Sequence, residues 1–234
     1  RNSMLMMMLF THTDLPLPVL PAMSRWGILH RSATCATPAM SLPSAMPRGE
    51  VIRKKLWLSN TLRIYTRLAK QAYPDLPVIL GGLEASLRRF AHYDYWLDTV
   101  LPSIAEDSGA DIISFGMGEH QTVEIARRLA AGEPVESITD VDGTCYMTDF
   151  DHLPERYVEC AGFKKVAADK TAYAKACRIQ MDNQDVVSGQ IIVQKQSEKY
   201  LVQNIPAKPL VRGELDKVYA LPYTRRYHPC LLYT

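Results

Sequence analysis

Cysteine spacing is the first thing this chain lacks. Its five cysteines (Cys35, Cys145, Cys160, Cys177 and Cys230) include no CxxC or CxxxCxxC arrangement. That excludes a zinc-finger pattern and a disulfide framework, and it fits a reducing, cytoplasmic location. The histidines His12, His30, His120, His152 and His228 show no ligand spacing. Charge of one sign is also missing. A net charge of +2, with no basic-aromatic stripe, gives no basis for nucleic-acid binding. Long apolar runs are absent near the start, where Met4 to Phe10 is too short to span a membrane and lacks a signal-peptide frame. There is no GxGxxG fingerprint, no GK[ST] lysine and no internal repeat. What remains is an ordinary globular composition, 47% apolar and 22% charged over 234 residues, enough for one large α/β domain or one domain with an appendage.

Against these absences stand two similar corners. The apolar run Val78-Ile79-Leu80 stops at Gly81-Gly82 and gives way to a helical pattern. About thirty residues on, Ile112-Ile113-Ser114-Phe115 stops at Gly116-x-Gly118-Glu119 and opens a second helix. Strand–glycine–helix corners in series are how a parallel α/β sheet builds a binding edge, because glycine lets a ligand approach the backbone.

The surrounding pattern divides the chain into four stretches. Residues 1–60 read as irregular, broken by Pro16, Pro18, Pro21, Pro38, Pro43 and Pro47, with room for a short strand or helix. Residues 61–149 read as the α/β domain. Its first helix begins at Thr61, with Leu62, Tyr65, Leu68, Ala69 and Ala72 on the buried stripe. A helix is expected from about Glu84 to Ala91 and another from Asp98 to Asp107, weakened by Pro102. The helix after Gly118 should bury Val123, Ala126 and Ala130, with Gly132 and Pro134 closing it. Asp142-Gly143 is expected to turn between strands Ile138–Val141 and Thr144–Thr148. Right-handed crossovers would fold these elements into a parallel sheet with helices on both faces. Residues 150–205 read as an extension: a helix over Phe163–Met181 burying Phe163, Ala167, Ala174, Cys177 and Met181, then a hairpin of Ile191–Gln194 and Tyr200–Gln203. Residues 206–234, with Pro206, Pro209, Pro222 and Pro229, read as an extended linker.

Each candidate site residue admits two readings. Gly81, Gly82, Glu84 and Ser86 form either a ligand-facing corner or a packing turn in which Glu84 pairs with Arg88. A carboxylate there disfavours an anion. Gly116, Gly118 and Glu119 form either a loop that lies against a ligand, with Glu119 accepting hydrogen bonds from it, or a plain helix start with a dipole-matched acid. Arg88, Arg89, His92, Tyr93, Tyr95 and Trp96 are a polar-aromatic cluster of the kind favoured at interface centres. The alternative is a solvated helix end. His92 lacks a nearby partner in sequence that would orient it as an acid–base.

The words GGLEASLRRFAHYDYW, DSGADIISFGMGE, QNIPAKPL and VYALPYTRRYHP resemble the N-terminal region of the YgiQ-like radical SAM proteins, from about Leu62 to Pro229. The Gly116-x-Gly118-Glu119 corner is also similar to that of cobalamin-binding-type domains, without a histidine motif for cobalt. The resemblance implies a Rossmann-like domain preceding a C-terminal radical SAM barrel of the same parent. It also implies a [4Fe–4S] cluster and S-adenosylmethionine (SAM) for that parent, acting on a small-molecule substrate. No cysteine here occupies the cluster motif, so no catalytic or metal residue carries over, and the chain by itself is expected to be inactive. Three departures accompany the resemblance: residues 1–60 lose the family pattern, Leu101-Pro102 replaces a basic pair, and Leu231 to Thr234 does not continue it. Together with Arg1 in place of an initial Met, they lead us to expect a piece of a longer protein. Two alternatives stay open: a free-standing small-molecule or cobalamin-type binding module, and a non-functional truncated fragment.

Overall fold

The computed structural model describes residues 7–10 and 61–223. The expectation of irregular structure over residues 1–60 therefore lies outside the described residues, except at residues 7–10. Of the described residues, 7–10 and 61–209 belong to one compact unit and 210–223 to another.

In chain order the first unit contains β1 (Met7–Phe10), α1 (Thr61–Ala72), β2 (Val78–Gly81), α2 (Gly82–Leu87), β3 (His92–Asp94) and β4 (Thr99–Leu101). Then come α3 (Ile104–Ser108), β5 (Ile112–Ser114), α4 (Glu119–Ala130), β6 (Thr144–Thr148), β7 (Val158–Cys160), α5 (Phe163–Ala168), α6 (Lys170–Asp182), β8 (Ile192–Lys195) and β9 (Tyr200–Gln203). Seven strands share one sheet in the order β1-β2-β5-β6-β9-β8-β7, while β3 and β4 form a separate pair. The fold is α/β with a Rossmann-like half: β1, β2 and β5 run parallel.

The sheet is not parallel throughout, as the sequence reading expected. β6 runs antiparallel to β5, with Ser114 opposite Thr144. The cause is local. Gly143, at φ 75°, turns the chain back at the carboxyl end of β5, where its carbonyl accepts the Phe115 N–H at 2.9 Å. Residues 138–141 form no strand. Ile138 and Val141 fill the core beside Ile79, Ile112, Ile125 and Leu129. The helix and hairpin of residues 150–205 extend this same sheet: β9 pairs with β6, β8 with β9, and β7 with β8.

Alternation along the strands sets two faces. Val78, Leu80, Ile113, Cys145, Ile192 and Leu201 point to one, with Leu62 and Ala69 of α1, Ala85 of α2, Ile104 of α3, Val166 of α5 and Ala176 of α6. Ile79 and Ile112 point to the other, against Ile125 and Leu129 of α4. Helices thus cover both faces, five against one among the described residues.

Helix phases differ from the sequence reading in three places. In α1 the buried positions are Leu62, Thr66 and Ala69, while Tyr65 and Leu68 are exposed. The helix is rotated because its basic side is also engaged: Arg63 meets Asp107 at 3.2 Å and Lys70 meets Asp111 at 2.7 Å. In α4 the buried residues are Gln121, Ile125 and Leu129, since larger side chains remove more apolar area from water than the alanines Ala126 and Ala130. The expected single helix over 163–181 is two. Asp169 breaks it and caps the second piece, its Oδ1 accepting the Thr171 N–H at 2.8 Å. Val166, Ala172 and Ala176 are buried there, and Met181 is exposed.

The second helical segment expected from Asp98 is also divided. Thr99–Leu101 is strand β4, and α3 starts after Ser103, whose side chain accepts the Ala105 N–H. In the second unit, α7 (Arg212–Tyr219) interrupts the expected extended linker. Glu214 stabilises its start by accepting the Val211 N–H at 3.0 Å, and Lys217 sits in its last turn, where the dipole favours a cation.

Candidate functional site

The two glycine corners meet. Ser86 of α2 donates its hydroxyl to the Gly82 carbonyl at 2.8 Å and accepts the Gly116 N–H at 3.3 Å. Because β2 and β5 are adjacent and parallel, their carboxyl ends lie on one edge, and Ser86 ties the bends together there. Gly82 and Gly116 have φ of 84° and 71°, the left-handed region that side chains resist. No heavy atom lies within 4 Å of a methyl built on Gly116, so only backbone strain opposes one. Gly116→Ala is expected to cost about 1–2 kcal/mol in urea denaturation, with Gly116→Asn losing less. An alanine variant as stable as the parent would remove the case for a strained bend.

Gly118 closes the second corner and precedes α4, with an ordinary φ of −89°. A Cβ there would lie 3.2 Å from the Ser114 hydroxyl. Near this bend three buried polar atoms have no partner: the Ser114 hydroxyl, Glu119 Oε2 and Gln121 Oε1. Such atoms are costly to bury unless something else meets them.

On the opposite face of the sheet, Arg89 spans the corner. Its Nε donates to Gln203 Oε1 at 2.6 Å and its Nη1 to the Ser86 carbonyl. The guanidinium also lies over the Phe115 ring at 5.0 Å and the Phe90 ring at 5.4 Å. Burial pulls its pKa down from the usual arginine range.

Arg88 behaves differently. It bridges Glu84 at 3.5 Å and the buried Asp94 at 3.4 Å. Burial raises the Glu84 carboxyl above its ordinary range, against a smaller lowering by Arg88. Asp94 is the anchor of the aromatic hairpin, accepting the Trp96 N–H at 2.9 Å and the Leu97 N–H at 3.1 Å. His92 points inward. Its Nδ1 lies 3.1 Å from the Phe90 carbonyl, its Nε2 is buried without a partner, and burial lowers its pKa. Tyr93, Tyr95, Trp96 and Leu97 are exposed at the tip, with the Tyr95 and Trp96 rings 4.5 Å apart.

The hairpin's roots are held by glutamines from β8 and the turn after it. Gln194 Oε1 accepts the Ala91 N–H and Gln196 Oε1 the Ser103 N–H, each at 2.9 Å. The Tyr173 hydroxyl accepts the Tyr93 N–H at 3.1 Å. Sequence reading missed Asp94, Gln121, Gln194, Gln196 and Gln203. For Gln194 and Gln203 the available signal was a polar glutamine following an otherwise apolar β run.

The described residues do not fit an iron–sulfur cluster. They contain no group of three or more Cys, His, Asp or Glu able to hold a metal, and a cluster needs thiolates. Burial pushes the Cys145 thiol up to about 12 and the Cys160 thiol up to about 11, leaving both protonated at neutral pH. A separate cleft of about 400 Å³ lies toward the amino end of β5, lined by Glu106, Asp111, Tyr146 and Lys199 among others. It contains none of the residues singled out from sequence. Its Glu106 already accepts the Ser197 N–H, and its Asp111 holds Lys70 and the Val78 N–H.

Fold and edge define an α/β domain with unsatisfied hydrogen-bonding atoms beside two glycine bends and, among the described residues, no metal-holding group. The chain belongs to the Radical SAM N-terminal family, which it matches over residues 59–233. A UPF0313 protein of Clostridium perfringens strain 13 is 45% identical over 184 residues, 78% of this chain and 27% of its own length. A UPF0313 protein of Clostridium botulinum strain ATCC 19397 is 48% identical over 167 residues, 71% of this chain and 26% of its own. The chain therefore spans about a quarter of the length of these relatives (27% and 26%). No solved structure matches it. Among the described residues no helix is long and apolar enough to cross a membrane.

Proposed function

We propose that this chain is the N-terminal accessory domain of a cytoplasmic radical SAM enzyme. In that enzyme a C-terminal barrel of the same parent holds the [4Fe–4S] cluster and SAM. The family match over residues 59–233 carries the reading. The relatives' greater length leaves room for the barrel, and the free thiols Cys145, Cys160 and Cys177 suit a reducing compartment. The domain's part is to shape and position. Gly81, Gly82, Gly116, Gly118 and Glu119 form the edge turned toward the barrel and the substrate, where small residues permit close approach. Tyr93 and Trp96, exposed on the hairpin that Asp94 and the glutamines hold, make the docking contact, as aromatics at interface centres do.

By itself the chain is inactive. Anaerobic incubation of the 234-residue protein with iron and sulfide should yield no cluster and no SAM cleavage, whereas a full-length relative should give both. A cysteine-ligated cluster on this chain, or a full-length relative unable to cleave SAM, would reject the proposal.

A further inference from the structure

The Arg89 guanidinium has no carboxylate partner among the described residues. Two of its N–H groups have acceptors, Gln203 Oε1 and the Ser86 carbonyl, although a guanidinium carries five. Gln203 is fully buried, and its Nε2 has no partner either. Flipping the amide does not help, because Nε2 would then face the Arg89 Nε–H, donor against donor. The orphan is therefore a donor, beside a cation that also has donors to spare. Cys145 is opposite Gln203 in the β6–β9 register and feels the Arg89 charge. Its thiol, pushed up to about 12 by burial, is no counter-ion at neutral pH.

We infer that Arg89 and Gln203 together receive one carboxylate group of a small molecule at the edge where the two glycine corners meet. A planar guanidinium fork and an amide N–H match the in-plane lone pairs of a carboxylate. Charge decides between anions. The site offers one cation, which neutralises a monoanionic carboxylate but leaves a phosphate with excess buried charge. This inference deepens the accessory-domain reading by giving the substrate edge a ligand class.

The test is an NMR titration of the Arg89 Nε–H resonance in the 234-residue chain with sodium acetate, against sodium phosphate and sodium chloride at equal ionic strength. Acetate should give a saturable shift, phosphate a smaller one and chloride none. A drift that is the same for all three salts, or a stronger response to phosphate, overturns the inference. Gln203→Glu places a carboxylate beside Arg89, so the acetate response should vanish while the thermal midpoint rises. A retained response or a lower midpoint counts against it. Arg89→Lys removes the fork, and with the titration then read at the Gln203 side-chain amide the acetate response should weaken with an unchanged circular dichroism spectrum; an undiminished response overturns the inference. The titration needs no cluster. Its failure leaves the radical SAM assignment standing, and failure of SAM cleavage in the full-length relative leaves the titration intact.

Discussion

Gly143→Val is expected to destabilise the domain by about 3–4 kcal/mol, combining a left-handed backbone cost with overpacking. Gly143 has φ 75°, where a β-branched residue is strained. A Cβ built there would lie 2.1 Å from Gln121 Nε2 and 2.9 Å from Ala207 Cβ. Gln121 is 1% exposed, so it has nowhere to retreat. The position matters because Gly143 bonds on both sides, accepting from the Phe115 N–H at 2.9 Å and donating to the Ile205 carbonyl at 2.7 Å. Forcing it outward pulls on the end of β5 and on the corner that follows. A domain with about 5–15 kcal/mol in total would lose a large share. Urea denaturation measures the loss, and adding Gln121→Ala should relieve the larger packing clash but neither the Ala207 contact nor the backbone part. A loss under about 1 kcal/mol, smaller than the left-handed cost alone, would show that the turn is looser than described.

Asp94→Ala should be nearly as damaging, about 3 kcal/mol, at the lower end for a broken buried pair. The Asp94 side chain is 1% exposed and meets Arg88 at 3.4 Å. Its loss leaves the Trp96 and Leu97 N–H groups without their acceptor. Arg88 keeps Glu84 at 3.5 Å, which limits the damage. The effect should be local as well as global: hydrogen exchange at the Trp96 and Leu97 amides should rise well before the sheet opens. The Ala91 and Ser103 amides, held by Gln194 and Gln196, should stay protected. Equal protection of all four amides in the variant would mean that Asp94 does not anchor the tip.

These two positions show how the site is assembled from distant sequence. The corners were legible because glycine after an apolar β run has few local explanations, and both stand where expected, joined through Ser86. The aromatic cluster was legible as a cluster, but not its division of labour. Arg88 turns inward to Asp94 and Glu84, Arg89 crosses to Gln203, His92 is buried, and only Tyr93, Tyr95 and Trp96 face outward. Neighbouring arginines were sorted by different partners: Arg88 by carboxylates within six positions, Arg89 by a glutamine 114 positions away. The stretch after residue 150 shares the sheet of the α/β domain: its glutamines hold the hairpin and its last strand supplies the Gln203 that meets Arg89.

From sequence alone came the α/β class, the family resemblance, the two bends and the absence of cluster-spaced thiols. Each depends on short-range information: apolar runs, glycine, and cysteine spacing. The folded chain decided the direction of β6, the rotation of α1 and α4, and the partners of the buried polar groups. Those depend on which surfaces compete for burial and on which charges lie close enough to pair. Apart from local pairs such as Glu84 with Arg88, such choices are made between segments remote in the chain, beyond the reach of a local pattern.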